Sequence, residues 1–430
     1  MRTDFTLAQL ADPAIAEADH ILRACVHCGF CTATCPTYQL TGDELDGPRG
    51  RIYLIKDMLE GDKPASATVA KHLDRCLTCL SCMTTCPSGV HYAHLADIAR
   101  QRIERTHRRP WAERMQRRLL ASVLPRPRRF RLALVGAALA RPFKALMPKR
   151  LRVMLDMAPG LPRRRGRTGR PGVFRPEGAP VKRVALLSGC VQPNLRPEID
   201  RAAVSLLNRH GVEVVIARKA GCCGALTQHM GMEEPAKAAA RANILAWSRL
   251  VEEGGLDAVV VTASGCGTQV KDYGHLFRGD PDMAEKAARI AALARDVTEV
   301  LAELPPLPPA ASKLPPGLRV AYHAACSLQH GQRVREAPKR LLAQAGFTVL
   351  DVPDAHLCCG SAGTYNILQP EMAGALRDRK VRAIEGTKPR VVAAGNIGCL
   401  TQIASGTGLP VVHTVELLEW AAGGRNPLAG

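Results

Sequence analysis

The chain has 430 residues, of which 46% are apolar, 23% are charged and 16 are cysteine. This length supports two or three globular domains, and the cysteines are too sparse overall for a small secreted protein held together by disulfide bonds. No stretch has the roughly 18 uncharged apolar residues that a membrane span needs, and none at the N-terminus has the pattern of a secretory signal, so we expect a cytoplasmic protein with reduced thiols.

Two cysteine runs of identical spacing lie in residues 1–100, which we expect to form one domain. Each run follows the pattern C-x2-C-x2-C-x3-C and ends at a proline: Cys25, Cys28, Cys31 and Cys35 before Pro36, and Cys76, Cys79, Cys82 and Cys86 before Pro87. In bacterial two-cluster ferredoxins, which have this spacing, the fourth cysteine of each run ligates the other cluster. We therefore predict two [4Fe-4S] clusters with the ligand sets Cys25, Cys28, Cys31 and Cys86, and Cys76, Cys79, Cys82 and Cys35.

The alternative for these runs is structural zinc, because paired C-x2-C units can form a site with four thiolates. Such sites usually separate two close pairs, whereas here four thiols occur in one run, twice. Between the runs, Pro48 is predicted to open a helix whose buried face is apolar: Ile52, Leu54, Ile55, Met58 and Leu59. The acidic residues before this helix are expected to be solvated, with contact to a partner as the alternative: Asp43, Glu44 and Asp46.

Residues 101–183 form a basic connector with 24 Lys and Arg against four acidic residues, a surplus of 20 that equals the surplus of the whole chain. Its end, "GLPRRRGRTGRPGVFRPEGAP", is rich in Gly, Pro and Arg and predicts an extended linker. The apolar stretch Leu132 to Ala140 lies between arginines. It fits either a segment lying on an anionic membrane surface or a helix packed on its own domains. Nucleic acid is not expected as a partner, since aromatic residues are only 4% of the chain.

The second half of the chain is a duplication. In each copy a single cysteine is followed, after 31 residues, by a Cys-Cys-Gly motif and later by one more cysteine: Cys190, Cys222, Cys223 and Cys266, and then Cys326, Cys358, Cys359 and Cys399. Short apolar runs alternate with amphipathic ones, which predicts two α/β domains with parallel sheets, at 184–305 and 316–425. The cysteines follow the predicted strands and should lie at the carboxyl edge of each sheet.

These eight cysteines are candidates for a further metal or cluster, or for thiol redox chemistry. The alternatives are buried thiols or a vicinal disulfide, and the sequence does not distinguish the two copies. Four convergent thiolates repel one another unless a cation compensates them, which favours a functional site in at least one copy. His229 and His323 are second-tier candidates, because each follows or precedes a cysteine closely enough to bind a thiolate or to relay a proton.

Two ferredoxin-type runs followed by two CCG copies resemble the iron-sulfur subunits of membrane-associated dehydrogenases and of heterodisulfide reductases. Within this group, "ILRACVHCGFCTATCPTYQLTGDELDGPRGRIYLIK" and "HLDRCLTCLSCMTTCPSGV" are most similar to the family of glycolate oxidase iron-sulfur subunits. The resemblance implies an α+β chain, with an α-helical two-cluster domain followed by two α/β cysteine-rich CCG domains. In heterodisulfide reductases each copy typically ends in C-x-x-C, whereas Gln269 and Gln402 stand at the last position here.

The resemblance also implies an electron-transfer subunit without a substrate site of its own. Glycolate would be oxidised to glyoxylate on a flavoprotein partner subunit that carries FAD, and single electrons would pass through this chain towards a quinone. The chain would then be cytoplasmic and peripheral on the inner face of the cell membrane. The alternatives are a related lactate or glycerol-3-phosphate dehydrogenase subunit, or a thiol-disulfide reductase in which the CCG copies form the active site.

Overall fold

The computed structural model describes residues 1–158, 160–163, 166–307 and 314–429. Positions 159, 164 and 165 of the connector and positions 308–313 between the two expected α/β domains lie outside the described residues. The chain combines an α-helical N-terminal part with two parallel sheets flanked by helices. The α+β fold class expected from the sequence is confirmed.

The N-terminal part is built from short helices around a small apolar core. Apolar residues three or four positions apart, such as Ile52 and Ile55 or Leu95 and Ala99, place one face of each helix in this core. The helices are Leu7–Leu10, Pro13–Ala24, Phe30–Ala33, Pro36–Thr41, Pro48–Glu60, Ala67–Asp74, Ser81–Thr85 and Tyr92–Thr106, with a 3-10 turn at Glu44–Asp46. Both cysteine runs lie in the loops and first turns between these helices.

The helix Pro48–Glu60 begins at the predicted proline and buries four of the five predicted residues, while Leu54 is half-buried. Arg51 lies on the same buried face. The expectation that Asp46 is solvated is wrong, because its side chain is fully buried. Its carboxylate accepts hydrogen bonds of 2.8 Å from His72 and Arg75, so a buried ion network ties this helix start to the second cysteine run.

The connector is helical and only partly packed. It contains the helices Trp111–Val123, Pro127–Ala140 and Lys149–Met157, with 3-10 segments at Arg141–Leu146 and Arg167–Gly169. Phe130 and Leu134 are buried, whereas Leu132 and Leu139 are each 72% exposed. None of the helices in the described part of the chain is long and apolar enough to cross a membrane.

The first sheet has five strands in the order β1-β3-β2-β4-β5. The strands are β1 (Gly172–Phe174), β2 (Lys182–Leu187), β3 (Val212–Ile216), β4 (Ala258–Val261) and β5 (Ala294–Asp296). All neighbours are parallel except β1, which pairs antiparallel with β3. The edge strand β1 comes from the expected linker, so that segment contributes to the sheet instead of running free.

The second sheet has four parallel strands in the order β7-β6-β8-β9. The strands are β6 (Arg319–His323), β7 (Thr348–Asp351), β8 (Val391–Ala394) and β9 (Val411–His413). In both sheets the central strands are continuous apolar runs, as expected for sheets covered on both faces. The longest covering helices are Pro197–Arg209, Glu233–Gly254 and Pro370–Gly386.

The two repeats share one apolar core, and polar side chains join them further to each other and to the N-terminal part. The hydroxyls of Ser264 and Ser327 lie 2.7 Å apart, which joins the first repeat to the second. Thr84 of the N-terminal part lies 2.8 Å from His330 Nδ1 of the second repeat. The N-terminal part also contacts the first repeat, through His94. Ser264, Ser327 and Thr84 each lie within two positions of a cysteine, so these contacts bring together segments that carry cysteines.

Candidate metal centres

The first predicted ligand set surrounds a small, mostly apolar cavity. Cys25, Cys28, Cys31 and Cys86 all line it. Three of these residues come from the first run, while Cys86 comes from the second. The structure therefore brings together four thiols that are up to 61 positions apart in the chain.

The second predicted ligand set surrounds an adjacent cavity. It is lined by Cys76, Cys79 and Cys82 of the second run and by Cys35 of the first. Cys82 also lines the first cavity, so the two cavities are neighbours. Each cavity combines three thiols of one run with the last thiol of the other, which is the arrangement that two cubane clusters require.

The two loops have the same backbone conformation. His27 and Gly29 of the first run have positive φ angles of 56° and 84°, and Thr78 and Leu80 of the second have 52° and 63°. These residues flank the second cysteine of each run. Left-handed backbone is rare outside glycine and turns the chain sharply, so the thiols of one loop can converge on one point.

Without a cation, the ionised form of these converging thiols is unfavourable. Burial, followed by the negative charge of Cys25, raises the pKa of Cys31 to about 11. Burial and the neighbouring Cys79 raise the pKa of Cys82 well above its usual value. Thiols that disfavour one another's ionised form in this way become favourable ligands once a positive iron centre is present. The residues of both cavities therefore fit iron-sulfur clusters.

Two buried arginines beside the second cavity were not identified from the sequence. Arg51 is 1% exposed, and its guanidinium donates to the His72 carbonyl oxygen at 2.7 Å and to Thr37 at 3.0 Å. Arg100 donates to the Cys76 carbonyl oxygen at 2.7 Å. Burial alone would raise the pKa of Cys76, but the charges of Arg51 and Arg100 outweigh it and lower that pKa. In the sequence, the signal that could have identified these two arginines was their position on helix faces that are otherwise apolar.

In the first repeat, the four cysteines form a chain of contacts at the carboxyl edge of the sheet. Hydrogen bonds from Cys190 and Cys223 lower the pKa of the Cys222 thiol to about 4, and Cys266 contacts Cys223. Cys190 follows β2, the Cys-Cys pair follows β3 and Cys266 follows β4. The three strands are parallel neighbours, which explains why cysteines 76 positions apart meet.

The second repeat has the same chain of contacts from Cys326 through Cys358 and Cys359 to Cys399. It also has His323, which is 1% exposed. The ligand atoms of His323, Cys359 and Cys399 lie within 4.8 Å of one another. Neither ring nitrogen of His323 has a hydrogen-bond partner among the described residues. Burial and then Lys380 lower the pKa of His323 to about 3, so the imidazole is neutral and able to bind a metal.

The two repeats differ in their relation to the clusters. Cys326 and Cys358 of the second repeat pack in one cluster of side chains with Leu77 and Cys79, next to the second cavity. Position 187, which corresponds to His323 at the repeat offset of 136 residues, is a leucine. The second repeat thus has both a histidine at its thiols and contact with a predicted cluster ligand.

His229 does not lie where the sequence suggested. It follows the helix Ala225–Gln228 and lines a large cavity together with Cys76, Thr78 and Arg100 of the N-terminal part. No hydrogen bond joins it to a thiol of its own repeat within the described structure. His229 therefore forms part of the wall of that cavity, which sequence spacing alone could not reveal.

Comparison with known proteins agrees with this architecture. The model of the 4Fe-4S dicluster domain matches residues 21–90, and the model of the cysteine-rich domain matches residues 184–271 and 320–404. A crystal structure of a hypothetical protein from Helicobacter pylori shares the fold with a TM-score of 0.56 at 9% identity, over 96% of this chain and 73% of that one.

Three relatives define the family more closely. The lactate utilization protein A of Geobacillus thermodenitrificans is 29% identical over 55% of this chain and 98% of its own length. The probable glycolate oxidase iron-sulfur subunit of Bacillus subtilis is 33% identical over 94% of both chains. The glycolate oxidase iron-sulfur subunit of Escherichia coli is 46% identical over 98% of this chain and 99% of its own length. The chain therefore belongs to the family of glycolate oxidase iron-sulfur subunits.

Proposed function

We propose that this chain is the electron-relay subunit of a glycolate dehydrogenase. The observation that carries the proposal is the pair of adjacent cavities, each lined by one predicted set of four thiols, with Cys82 lining both. A [4Fe-4S] cluster in each cavity would accept and release one electron at a time. Neighbouring clusters exchange electrons, so the pair relays them from one face of the N-terminal part to another.

The ligand sets are part of the proposal. Cys25, Cys28, Cys31 and Cys86 would hold one cluster, and Cys35, Cys76, Cys79 and Cys82 the other. The protein contributes orientation and charge around them. Arg51 and Arg100 place positive charge beside the second set, and the hydroxyl of Tyr92 donates to Cys76 Sγ at 3.8 Å. Such second-layer contacts favour the electron-rich, reduced state of a cluster.

The proposed substrate rests on the glycolate oxidase relatives, and the proposed partner rests on the number of electrons that the oxidation releases. Oxidation of glycolate to glyoxylate removes two electrons and two protons, which normally requires a flavin or a nicotinamide. We place FAD on a flavoprotein partner subunit, from which single electrons would enter this chain and continue to a quinone. The complex would work in the cytoplasm, on the inner face of the cell membrane.

The alternatives have weaker support. The lactate utilization relatives align with only 55% of this chain, so a lactate-oxidising complex is the second candidate. A thiol-disulfide reductase would need a further cysteine in each repeat. Gln402 stands at that position in the second repeat, is 3% exposed, and is held by hydrogen bonds to Ala373 and Asn366. This side chain is a packed part of the structure, which disfavours a reductase site.

The experiment is low-temperature EPR on the anaerobically isolated complex before and after addition of glycolate. Reduced [4Fe-4S] signals should appear with glycolate. Lactate and glycerol-3-phosphate, the substrates of the alternative complexes, are added in parallel samples for comparison. Cys28→Ser and Cys79→Ser should each remove one of the two signals and abolish reduction of the acceptor by glycolate. Signals that appear only with dithionite would show that another donor feeds the clusters and would overturn the proposal.

We further propose that the second repeat, and not the first, holds an additional metal. His323 offers two buried nitrogens without partners, beside thiols that converge at the same edge of the sheet. A set of Cys and His ligands suits zinc or iron. Because Cys326 and Cys358 pack against Cys79, a redox-active metal here could exchange electrons with the second cluster.

A further inference from the structure

A cavity of the described structure lies against the second predicted cluster site. Its volume is about 510 Å³, and Cys76, Leu77 and Thr78 form part of its wall. A molecule in this cavity would therefore touch the segment that carries a predicted cluster ligand. Electron transfer between the two would need no intermediate group.

All parts of the chain contribute to this cavity. The N-terminal part supplies the cysteine loop and the helix Ala67–Asp74, and the connector supplies residues of the helices Trp111–Val123 and Lys149–Met157. The two repeats supply His229 with Met230, and the segment from Thr364 to Met372. A cavity that exists only in the assembled chain is positioned by the whole fold, as ligand sites between domains commonly are.

The charge of the lining is positive. Six cationic residues line the cavity, namely Lys71, Arg75, Arg100, Arg109, Arg117 and Arg150, against three acidic ones, namely Asp74, Glu113 and Glu371. Several of the cations are already paired; Arg109, for example, contacts both Asp74 and Glu113. Arg75, Arg100 and Arg117 also pair with acidic residues outside the lining, namely Asp46, Asp97 and Glu104, so the cavity offers guanidinium donors more than net charge. These donors stabilise a ligand that becomes an anion after it has received one electron.

A neutral hydrogen-bonding group and an apolar wall complete the cavity. Burial and the charge of Arg100 lower the pKa of His229 to about 3, so its ring is neutral at physiological pH. Its Nδ1 has no partner among the described residues. Leu77, Met230 and Leu368 provide apolar surface. This combination suits a flat ring that carries carbonyl oxygens and has an apolar remainder.

We propose that this cavity binds the headgroup of a quinone, which takes electrons from the second cluster. The proposal rests on the proposed function, since it locates the electron acceptor of the relay on this chain. One quinone takes two electrons, delivered singly by the reduced clusters, together with two protons from solvent, and becomes the quinol. His229 would hold a carbonyl oxygen of the ring, and the cationic lining would stabilise the charge of the first electron.

The test uses the full-length chain with both clusters loaded and reduced by dithionite, which is then removed. A short-tailed benzoquinone is mixed with it anaerobically, and cluster reoxidation is followed by stopped-flow absorbance. The rate should saturate with quinone concentration, and the two clusters of each chain should reduce one quinone. Leu368→Trp, which fills the cavity, should raise the half-saturating concentration at least about tenfold. Leu245→Trp is the matched control, because Leu245 is 40% exposed on a helix outside the cavity.

His229→Leu and His229→Gln provide a second readout if Leu368→Trp loses its clusters. The leucine variant should weaken quinone binding, and glutamine, which can still form a hydrogen bond, should restore part of it. A rate that rises linearly with quinone and is the same in all variants would overturn the proposal, because the quinone would then meet the clusters elsewhere. Glycolate takes no part in this assay. Saturable, cavity-dependent oxidation without glycolate-driven reduction would leave the cavity assignment standing and overturn only the proposed substrate.

Discussion

At the scale of single residues, Arg51 illustrates how a buried charge is matched to a predicted cluster site. Its guanidinium is 3.7 Å from the Asp46 carboxylate and 3.9 Å from Cys35 Sγ. An unpaired buried cation would be strongly destabilising, so this arginine requires anionic neighbours. The thiolates of the second ligand set and Asp46 provide them, and they receive compensating charge in return.

Replacing Arg51 by methionine removes this charge while keeping much of the volume. The reduction potential of the second cluster should fall, because positive charge next to a cluster stabilises its reduced state. The free energy of unfolding should decrease by about 1.5–3 kcal/mol, since the His72 carbonyl oxygen and Thr37 lose a charged hydrogen-bond donor while Asp46 keeps His72 and Arg75. A redox titration monitored by EPR and a urea unfolding curve measure the two effects. The control Arg23→Met removes a 60% exposed arginine and should change neither; a potential shift in that control would contradict the local charge effect.

Variants of His323 and Cys399 test whether the second repeat binds a metal that the first does not. Cys399→Ser and His323→Ala should each lower the metal content per chain, measured by inductively coupled plasma mass spectrometry, by the amount of one bound centre. Cys266→Ser is the matched control, because Cys266 is the counterpart of Cys399 in the first repeat. Equal losses from Cys266→Ser and Cys399→Ser would show that the repeats are equivalent, contrary to the proposal.

At the scale of elements, the connector helix Pro127–Ala140 has an unusual distribution of apolar residues. It buries Phe130 and Leu134 against the fold but exposes Leu132 and Leu139 to solvent. Phe143 and Leu146, in the 3-10 segment that follows, are 60% and 85% exposed. One helix thus both packs against the fold and exposes apolar residues. Packing on its own domains and lying on an anionic membrane surface, the two alternatives drawn from the sequence, are therefore compatible. Exposed apolar residues among arginines suit an anionic lipid surface.

The double variant Leu132→Asp/Leu139→Asp tests this surface. The wild-type complex should float with vesicles that contain acidic lipids and should be released by salt, because both apolar and electrostatic contacts contribute. The double variant should bind at least about tenfold more weakly, since each aspartate removes apolar area and adds repulsion. Leu245→Asp changes an exposed leucine elsewhere and should leave flotation unchanged. Wild-type protein that remains unbound on acidic vesicles would exclude the membrane contact.

At the scale of the whole molecule, an ion network joins the N-terminal part to the first repeat. His94 Nε2 is 3.0 Å from Asp272, His94 Nδ1 is 3.2 Å from Glu17, and the rings of His94 and His275 stack with centroids 3.4 Å apart. Burial lowers the pKa of His94, but hydrogen bonds to Asp272 and Glu17 outweigh burial and raise it to about 9. The pKa of Glu17 shifts in the opposite direction: burial would raise it, but hydrogen bonds from His275 and His94 outweigh burial and hold it below the usual range.

The pH dependence of stability follows from these shifts. Because the pKa of His94 is higher in the folded state, its stabilising effect is complete below its unfolded pKa of about 6.5 and disappears as the pH rises through about 9. The free energy of unfolding should therefore fall between pH 6.5 and pH 9, by at most about 3 kcal/mol from this group. Urea unfolding of wild type and of His94→Gln at both pH values measures it. An identical pH dependence in the two proteins would contradict the role of His94.

Local spacing was sufficient to predict much of this protein from its sequence. The cysteine runs, the duplication and the alternation of apolar runs led to the α+β fold class. Six apolar runs predict strands, namely "VALL", "VEVVIA", "AVVVTA", "LRVAY", "FTVLDV" and "RVVAAG", and they coincide with six of the nine strands in the described part of the chain. The edge strands β1, β5 and β9 were not predicted, because three-residue strands carry too little pattern. The ligand sets of the two clusters also came from spacing and stay predictions, although the structure groups their thiols around two cavities.

Only the tertiary structure decided which residues from distant segments meet. Spacing within a run reflects the reach of one loop, whereas burial and contact between domains depend on how entire sheets and helices pack. The sequence could not show that Arg51 faces a thiolate, that His323 lacks partners at the thiols of the second repeat, or that those thiols adjoin Cys79. It placed His229 near its own cysteines, while packing placed it in a cavity with Cys76, because both residues are brought there by elements from different parts of the chain.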